Sequence, residues 1–246
     1  MDSDYRTPKK TYSLKVDKFV CNKFGIAEFF AANYEGMMVD SGAAVLDVGC
    51  GVGAMGVYLA DQYGCRVAGV ELNHSACICC RENILRYQLS GRMEVYWANI
   101  TSYGALRPDA YYDMIVSNPP INDGVSAATI RQYVGCKYDA LDASIYSYLT
   151  NSWHDERGLD LLEHIFMYAV GHLRDNGVVS IAFCEVDGAS VESVSAKARR
   201  YGFSVIRTIA GTISSRSVGA ESVSASAFGA YCMVFKRGGE HGNQNP

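Results

Sequence analysis

Two short stretches hold residue types whose spacing can do chemistry. In Val45-Leu46-Asp47-Val48-Gly49-Cys50-Gly51-Val52-Gly53, an apolar run ends in three alternating glycines. A strand that gives way to glycines and then to a helix lets a ligand lie against bare backbone at the helix N-terminus. A Cβ there would block the approach or forbid the dihedrals. Roughly 20 residues further on, Glu71 ends a second apolar run, where it can accept both hydroxyls of a ribose. The second stretch is Ser117-Asn118-Pro119-Pro120. An exocyclic amine or an amide nitrogen is a poor nucleophile while its lone pair is delocalised. The side-chain oxygen of Asn118 and the backbone carbonyl of Pro119 can accept its two hydrogens and aim that lone pair. The prolines stiffen the segment before any substrate arrives. Such a site works by positioning and electrostatics, without a covalent enzyme intermediate. Read blandly, the same stretch is a Pro-Pro turn with Asn118 capping it.

The elements that must position these residues alternate between short apolar runs and longer helical patterns, as in βαβ units with a mostly parallel sheet. Ala44–Val48, Arg66–Val70, Met93–Trp97 and Tyr112–Val116 read as the first four strands, with a helix over Gly53–Gln62 and another from an Asn73 cap to about Tyr87. Leu159–Leu173 has helical spacing and Asn176-Gly177 closes it. Val178–Phe183 follows as a strand, Val191–Tyr201 as a helix, and Phe203–Ile209 and Tyr231–Phe235 as the last strands. No helix fits in the Ser-, Gly- and Ala-rich stretch between those two, so they form an antiparallel hairpin with a long loop. The expected fold is α/β, a doubly wound, mostly parallel sheet of seven strands closed by that hairpin. Residues 1–40 are expected as a small helical cap with Phe19, Ile26, Phe29 and Phe30 on its apolar face and Phe24 beside it. Residues 41–237 would form the catalytic domain, 121–157 a substrate lid within it, and 238–246 a frayed tail.

The strand, glycine turn and acidic partner resemble the class I S-adenosylmethionine-dependent methyltransferases, whose Asp-x-Gly-x-Gly motif corresponds to Asp47, Gly49 and Gly51 and whose ribose-binding acid corresponds to Glu71. The resemblance implies S-adenosylmethionine as cofactor, held by Asp47, Gly49, Cys50, Gly51, Gly53, Glu71, Leu72, Asn99, Ile100 and Asn118. Asn99 stands where the family has an acidic residue for the adenine amino group, and can accept the same hydrogen bond. Gly51-x-Gly53-x-x-Gly56 also fits a nicotinamide dinucleotide, which keeps an oxidoreductase as the rival class. Asp47 before the first glycine, the terminal hairpin and the motif after the fourth strand favour the methyl donor.

Asn118-Pro119-Pro120 resembles the motif of methyltransferases that act on planar nitrogen, and the release-factor glutamine methyltransferases look most similar. Ala210-Gly211-Thr212 with Arg216 is loosely similar to their Gly-x-x-Arg segment. The likeness spans about residues 40–220. Ile121 departs from it, standing where those enzymes and the adenine enzymes usually carry a stacking aromatic; a group of ribosomal-RNA guanine methyltransferases tolerates an aliphatic there. Catalysis is thus expected of Asn118, Pro119 and Pro120. Substrate contacts are expected from Ile121, Tyr138, Trp153, His154 and Arg216, where aromatics with a few polar groups suit a small or planar ligand.

Bulk properties narrow the partners. The 246 residues are 49% apolar and 20% charged, enough for one α/β domain with a full core. A net charge of −4 suits nucleic acid poorly, so a small molecule or a protein glutamine is the expected acceptor and an RNA base the alternative. The basic run Arg6–Lys18 reads first as a solvated terminus. The nine cysteines, an odd number, lie mostly in apolar stretches, which suits reduced, buried thiols. Cys77-Ile78-Cys79-Cys80 has no second pair at zinc spacing, so no metal is expected. With no spanning run and no signal-peptide layout, the expected location is the cytoplasm. Nothing in the sequence speaks to oligomeric state.

Overall fold

The structure is a computed structural model that describes residues 1–17, 20, 24–37, 40–119, 159–184, 190–214 and 227–238. The chain opens with strands β1 (Asp2–Arg6) and β2 (Thr11–Lys15), followed by α1 (Gly25–Ala32) and a short 3-10 turn over Tyr34–Met37. Four parallel strands alternate with helices: β3 (Ala44–Val48), α2 (Ala54–Tyr63), β4 (Arg66–Glu71), α3 (His74–Arg86), β5 (Met93–Trp97), α4 (Ile100–Leu106) and β6 (Tyr112–Ser117). The C-terminal part adds α5 (Leu161–His172), β7 (Leu173–Cys184), α6 (Val191–Arg200), β8 (Phe203–Ser214) and β9 (Ala227–Arg237).

The seven-stranded sheet has the order β5-β4-β3-β6-β7-β9-β8. β5 to β7 run parallel, and β9 inserts antiparallel between β7 and β8. The inner parallel strands β3, β4 and β6 are buried on both faces, because side chains alternate between two cores, whereas the edge strand β5 exposes Glu94 and Trp97. Val45, Val67, Met114 and Val116 point to the side covered by α1, α2, α3 and the first hairpin. Leu46, Val48, Ile115 and Val179 point to the side covered by α4, α5 and α6. This is the expected seven-stranded Rossmann-like methyltransferase fold, with a separate two-stranded sheet in addition.

The helix starts are written in the sequence. Asn73 accepts the amides of Ser75 and Ala76 to open α3. Asp160 and Glu163 form a reciprocal capping box on α5, and Ser190 with Ser193 does the same on α6. Lys197 on α6 then reaches Asp160 at 2.6 Å, and Arg200 reaches Glu163 at 2.7 Å, fastening the two helices together.

Three local expectations are corrected. Residues 1–40 are not a purely helical cap: residues 2–15 form an antiparallel hairpin, because Tyr5, Tyr12 and Leu14 share one face and are fully buried on the α2–α3 side of the sheet. Asn176-Gly177 does not close α5, which ends at His172; the pair lies inside β7, where pairing with β6 slips between Tyr112 and Met114. The terminal hairpin strands run longer than expected, to Ser214 and from Ala227, so Gly211 belongs to β8. A Cβ on Gly211 would come within 2.7 Å of the Phe29 ring, so glycine there admits α1 against the sheet. Helix α4 was not foreseen. Among the described residues, no helix is long and apolar enough to cross a membrane.

Candidate functional site

The C-terminal end of β3 begins the site. β3 pairs with β4 on one side and β6 on the other, so chain direction across the sheet reverses there, the usual position for a ligand crevice in an open α/β sheet. Gly49 and Cys50 donate their amides to the carbonyl of Val70 at 2.8 and 3.2 Å, which seats the glycine turn on β4. Gly49, Gly51 and Gly53 have φ of +69°, +55° and +88°, a backbone that side chains with a Cβ rarely adopt. Nothing lies within 4 Å of where a Cβ on Gly49 or Gly51 would sit, so the backbone there borders open space.

Two carboxylates face this turn. Glu71, at the end of β4, accepts the Gly51 amide on Oε2 at 2.8 Å and the Asn73 amide on Oε1 at 2.7 Å. Burial raises its pKa, and the amides of Asn73, Gly51 and Leu72 oppose that rise. Asp47 is fully buried; its Oδ2 accepts the Gly56 amide in the first turn of α2 at 3.1 Å, and its Oδ1 has no partner. Burial pushes its pKa up to about 7, the Gly56 amide pulls against that, and the charge of Glu71 adds to it. Among the described residues, no positive charge offsets these two acids. A ligand bearing cationic centres and a ribose would fit: room over bare backbone, a diol acceptor in Glu71, and an unpaired buried oxygen beside a second acid.

The other residues expected at the cofactor separate into groups. Cys50 is buried in the turn; its thiol is pushed well up by the neighbouring Cys80 thiol and by burial, so it packs rather than reacts. Leu72 is partly exposed beyond β4, and its carbonyl accepts the Trp97 indole N–H at 2.9 Å. Asn99 is exposed, and its Oδ1 caps α4 through the Ser102 amide at 2.7 Å while accepting the Thr101 hydroxyl at 2.7 Å. An acceptor is therefore present at the expected place, but it is already engaged. Ile100 is buried in the core behind it.

On the other side of the reversal, Val48 of β3 pairs with Ser117 of β6, so Gly49 and Asn118 are the first residues past the last paired positions of the two strands. Ser117 locks this junction by donating its hydroxyl to the Val48 carbonyl at 2.7 Å, both fully or nearly buried. Asn118 is exposed and Pro119 is buried. Pro120, Ile121, Tyr138, Trp153, His154 and Arg216 lie outside the described residues, as does the 121–157 segment.

Sequence reasoning passed over two features. Trp97 ends β5 largely exposed, with the His74 ring 4.5 Å away, and forms the rim beside Leu72. An exposed tryptophan closing a strand was the available signal. Asn83 on α3 is fully buried and donates to the Val52 carbonyl inside the glycine turn at 2.9 Å. A polar residue on the apolar face of a helix was the only sign of it.

Comparison with known proteins agrees with this geometry. Residues 31–134 match the methyltransferase small domain family. The chain is 38% identical over 84 residues to a tRNA1(Val) (adenine(37)-N6)-methyltransferase of Pedobacter heparinus, covering 33% of this chain and 35% of that protein. It is 29% identical over 172 residues to a release factor glutamine methyltransferase of Gloeobacter violaceus, covering 69% of this chain and 54% of that one. It therefore spans about a third to about half of the length of these relatives. A 16S rRNA N2 methyltransferase of Thermus thermophilus, solved with AdoMet and guanosine, superposes with a TM-score of 0.58 at 17% identity, over 96% of this chain and 50% of that chain. Over residues 31–134 the chain is thus similar to the methyltransferase small domain, and its fold is that of solved methyltransferases.

Proposed function

We propose that this protein is an S-adenosylmethionine-dependent N-methyltransferase acting on a planar amino or amide nitrogen, in a small molecule or a protein glutamine. The observation that supports the reading is the pairing of Val48 with Ser117 at the ends of β3 and β6: the turn suited to hold the donor and the residue suited to hold an amine each begin one residue past that pair. S-adenosylmethionine, when bound, supplies an electrophilic methyl group on a sulfonium centre. Glu71 would accept its ribose hydroxyls, and the Gly49–Gly53 backbone would lie against it. Asp47 and Glu71 would offset its positive charge.

At the acceptor, Asn118 Oδ1 and the Pro119 carbonyl would each take one hydrogen of the substrate nitrogen. That removes the lone pair from conjugation and points it along one line. The Ser117–Val48 hydrogen bond keeps this stem from moving relative to the glycine turn. The nitrogen becomes strongly acidic once it is alkylated, so its surplus proton can pass to water without a dedicated base. Release factor glutamine methyltransferase among the relatives supports the protein-glutamine form. The tRNA adenine enzymes and the rRNA N2 methyltransferase support a second reading, an exocyclic amine of an RNA base.

The test is calorimetric titration with S-adenosylmethionine, S-adenosylhomocysteine and NAD, then a radiolabelled methyl-transfer screen over glutamine peptides, RNAs and small amines. Asn118→Ala should lower turnover about 100-fold or more while cofactor affinity stays within a few-fold. Equal loss of both would remove the assigned role of Asn118, and binding of NAD alone would replace the reaction class.

A further inference from the structure

Asn83 on helix α3 and Tyr87 at its C-cap lie one turn apart, and with Arg86, which donates to the Ser13 carbonyl at 2.6 Å, they complete the outer edge of β2. Val16 and Met1 exchange backbone hydrogen bonds, so the amide of Lys15 points away from β1 toward α3. There Asn83 Oδ1 accepts the Lys15 amide at 2.6 Å, and Asn83 Nδ2 donates to the Lys15 carbonyl at 3.2 Å. Two residues earlier, Tyr87 performs the same pair of bonds with Ser13, accepting its amide at 2.7 Å and donating to its carbonyl at 3.1 Å. An edge strand left with open backbone groups is costly when half-buried. The helix takes the place of a third strand.

Asn83 does one thing that Tyr87 does not. The second hydrogen on Nδ2 goes to the Val52 carbonyl at 2.9 Å, in the middle of the glycine turn. The amide orientation is fixed by its surroundings, since one N–H and two carbonyls face it and only one placement of oxygen and nitrogen satisfies all three. Asn83 is fully buried. No other side chain fits this arrangement: aspartate would turn a charge against two carbonyl oxygens, and alanine would leave three backbone groups without partners.

We infer that Asn83 is a positioning residue that clamps the glycine turn to the N-terminal hairpin, so that seating of the hairpin sets affinity for the cofactor. This deepens the reading of residues 49–53 as the cofactor turn and rests on it. The turn needs such a clamp because its glycines, with φ of +55° and +88° on either side of Val52, give the backbone more freedom than any other residues would. The first hairpin would then serve the donor side of the reaction.

The experiment uses the full chain and three variants. Asn83→Ala removes the clamp. Lys15→Pro removes the amide that Asn83 accepts, together with the Lys15–Glu82 ion pair at 3.9 Å, leaves the Asn83–Val52 hydrogen bond in place and suits an extended strand, so it serves if Asn83→Ala does not fold. Tyr87→Phe loosens the hairpin without touching Val52. Hydrogen–deuterium exchange of the ligand-free protein should show faster exchange across residues 49–56 in the first two variants, and across residues 1–17 alone in the third. The dissociation constant for S-adenosylhomocysteine and the KM for S-adenosylmethionine should rise about tenfold in Asn83→Ala, with kcat at saturation unchanged. Unaltered exchange at 49–56 and unaltered affinity in the clamp variants, or equal loosening of the turn in Tyr87→Phe, would overturn the inference. If the wild type bound no such ligand, the cofactor reading would fall, while the exchange comparison would still decide whether the clamp exists.

Discussion

Glu71 and Gly51 are joined at 2.8 Å by a hydrogen bond from the glycine amide to the carboxylate, across the gap between the end of β4 and the turn after β3. The same carboxylate holds the Asn73 amide, so one side chain anchors the turn and the approach to α3 together. Replacing it would do more than delete the ribose acceptor proposed above. Glu71→Ala should raise the dissociation constant for S-adenosylmethionine by about 10- to 100-fold, from the loss of charge-assisted bonds worth roughly 1.5–3 kcal/mol each. Glu71→Gln should not rescue it fully, because one amide N–H₂ would face a backbone donor. Isothermal titration of both variants checks this, and full rescue by glutamine would show that the negative charge is dispensable.

The acidity of Asp47 predicts a proton-linked cofactor. Its pKa stands at about 7 in the ligand-free protein, through burial and the charge of Glu71. Cationic centres placed nearby favour the ionised form, so binding should release a proton and tighten as pH rises from about 6 to 8. Titration in two buffers of different ionisation enthalpy measures that proton directly. S-adenosylhomocysteine, which lacks the sulfonium charge, should show a smaller release.

The same residue gives a stability prediction of opposite sense. A carboxyl raised from 3.8 to about 7 binds its proton more tightly folded than unfolded. Its contribution to stability is fully present below about pH 4 and is lost as pH climbs through about 7. Asp47→Asn should therefore stabilise the ligand-free protein at pH 8, by at most about 4 kcal/mol for three pKa units and with a higher melting temperature, and change it little at pH 4. It should weaken the cofactor at the same time. Thermal melts at the two pH values decide the matter; a destabilised variant at pH 8 would mean that the burial of charge costs less than the geometry implies.

Asn99 offers a way to separate a cap from a ligand contact. Asn99→Ala should cost about 1 kcal/mol of stability through loss of the α4 cap, whereas Asn99→Asp should keep the cap and favour the helix N-terminus. If the residue also meets the adenine amino group, the aspartate variant should bind S-adenosylmethionine at least as well as the wild type, and the alanine variant should bind it several-fold more weakly. Affinity unchanged in both would confine Asn99 to the helix.

The parts of the fold and site legible in the sequence are those where backbone shape dictates residue type. Gly49, Gly51 and Gly53 need positive φ, Asn73 must face free amides, and the strands on either side carry largely apolar runs. Each signal is local. The first hairpin was not legible, although Tyr5, Tyr12 and Leu14 share its buried face, because Asp2, Asp4, Arg6 and the Pro8–Lys10 turn read as a solvated terminus. Its outer edge is completed by Asn83 and Tyr87, about seventy residues away, and no local pattern announces such a partner. Asn99 shows the complementary difficulty. A side chain that can accept from a ligand can equally accept from the next turn of its own helix, and only the folded chain shows which amide stands closer.

The strand order also sets a sequence of events. β9 is the last strand in the chain, yet it lies between β7 and β8. Until residues 227–237 arrive, Val179, Ile181 and Phe183 have an open backbone edge, and β8 has no place in the sheet. The glycine turn, Glu71 and the β3–β6 junction can all assemble earlier from residues 44–117. On a ribosome, the chain would hold a nearly complete donor pocket while one side of its sheet still waited unzipped, and closure would come in a single late insertion that brings two strands in together.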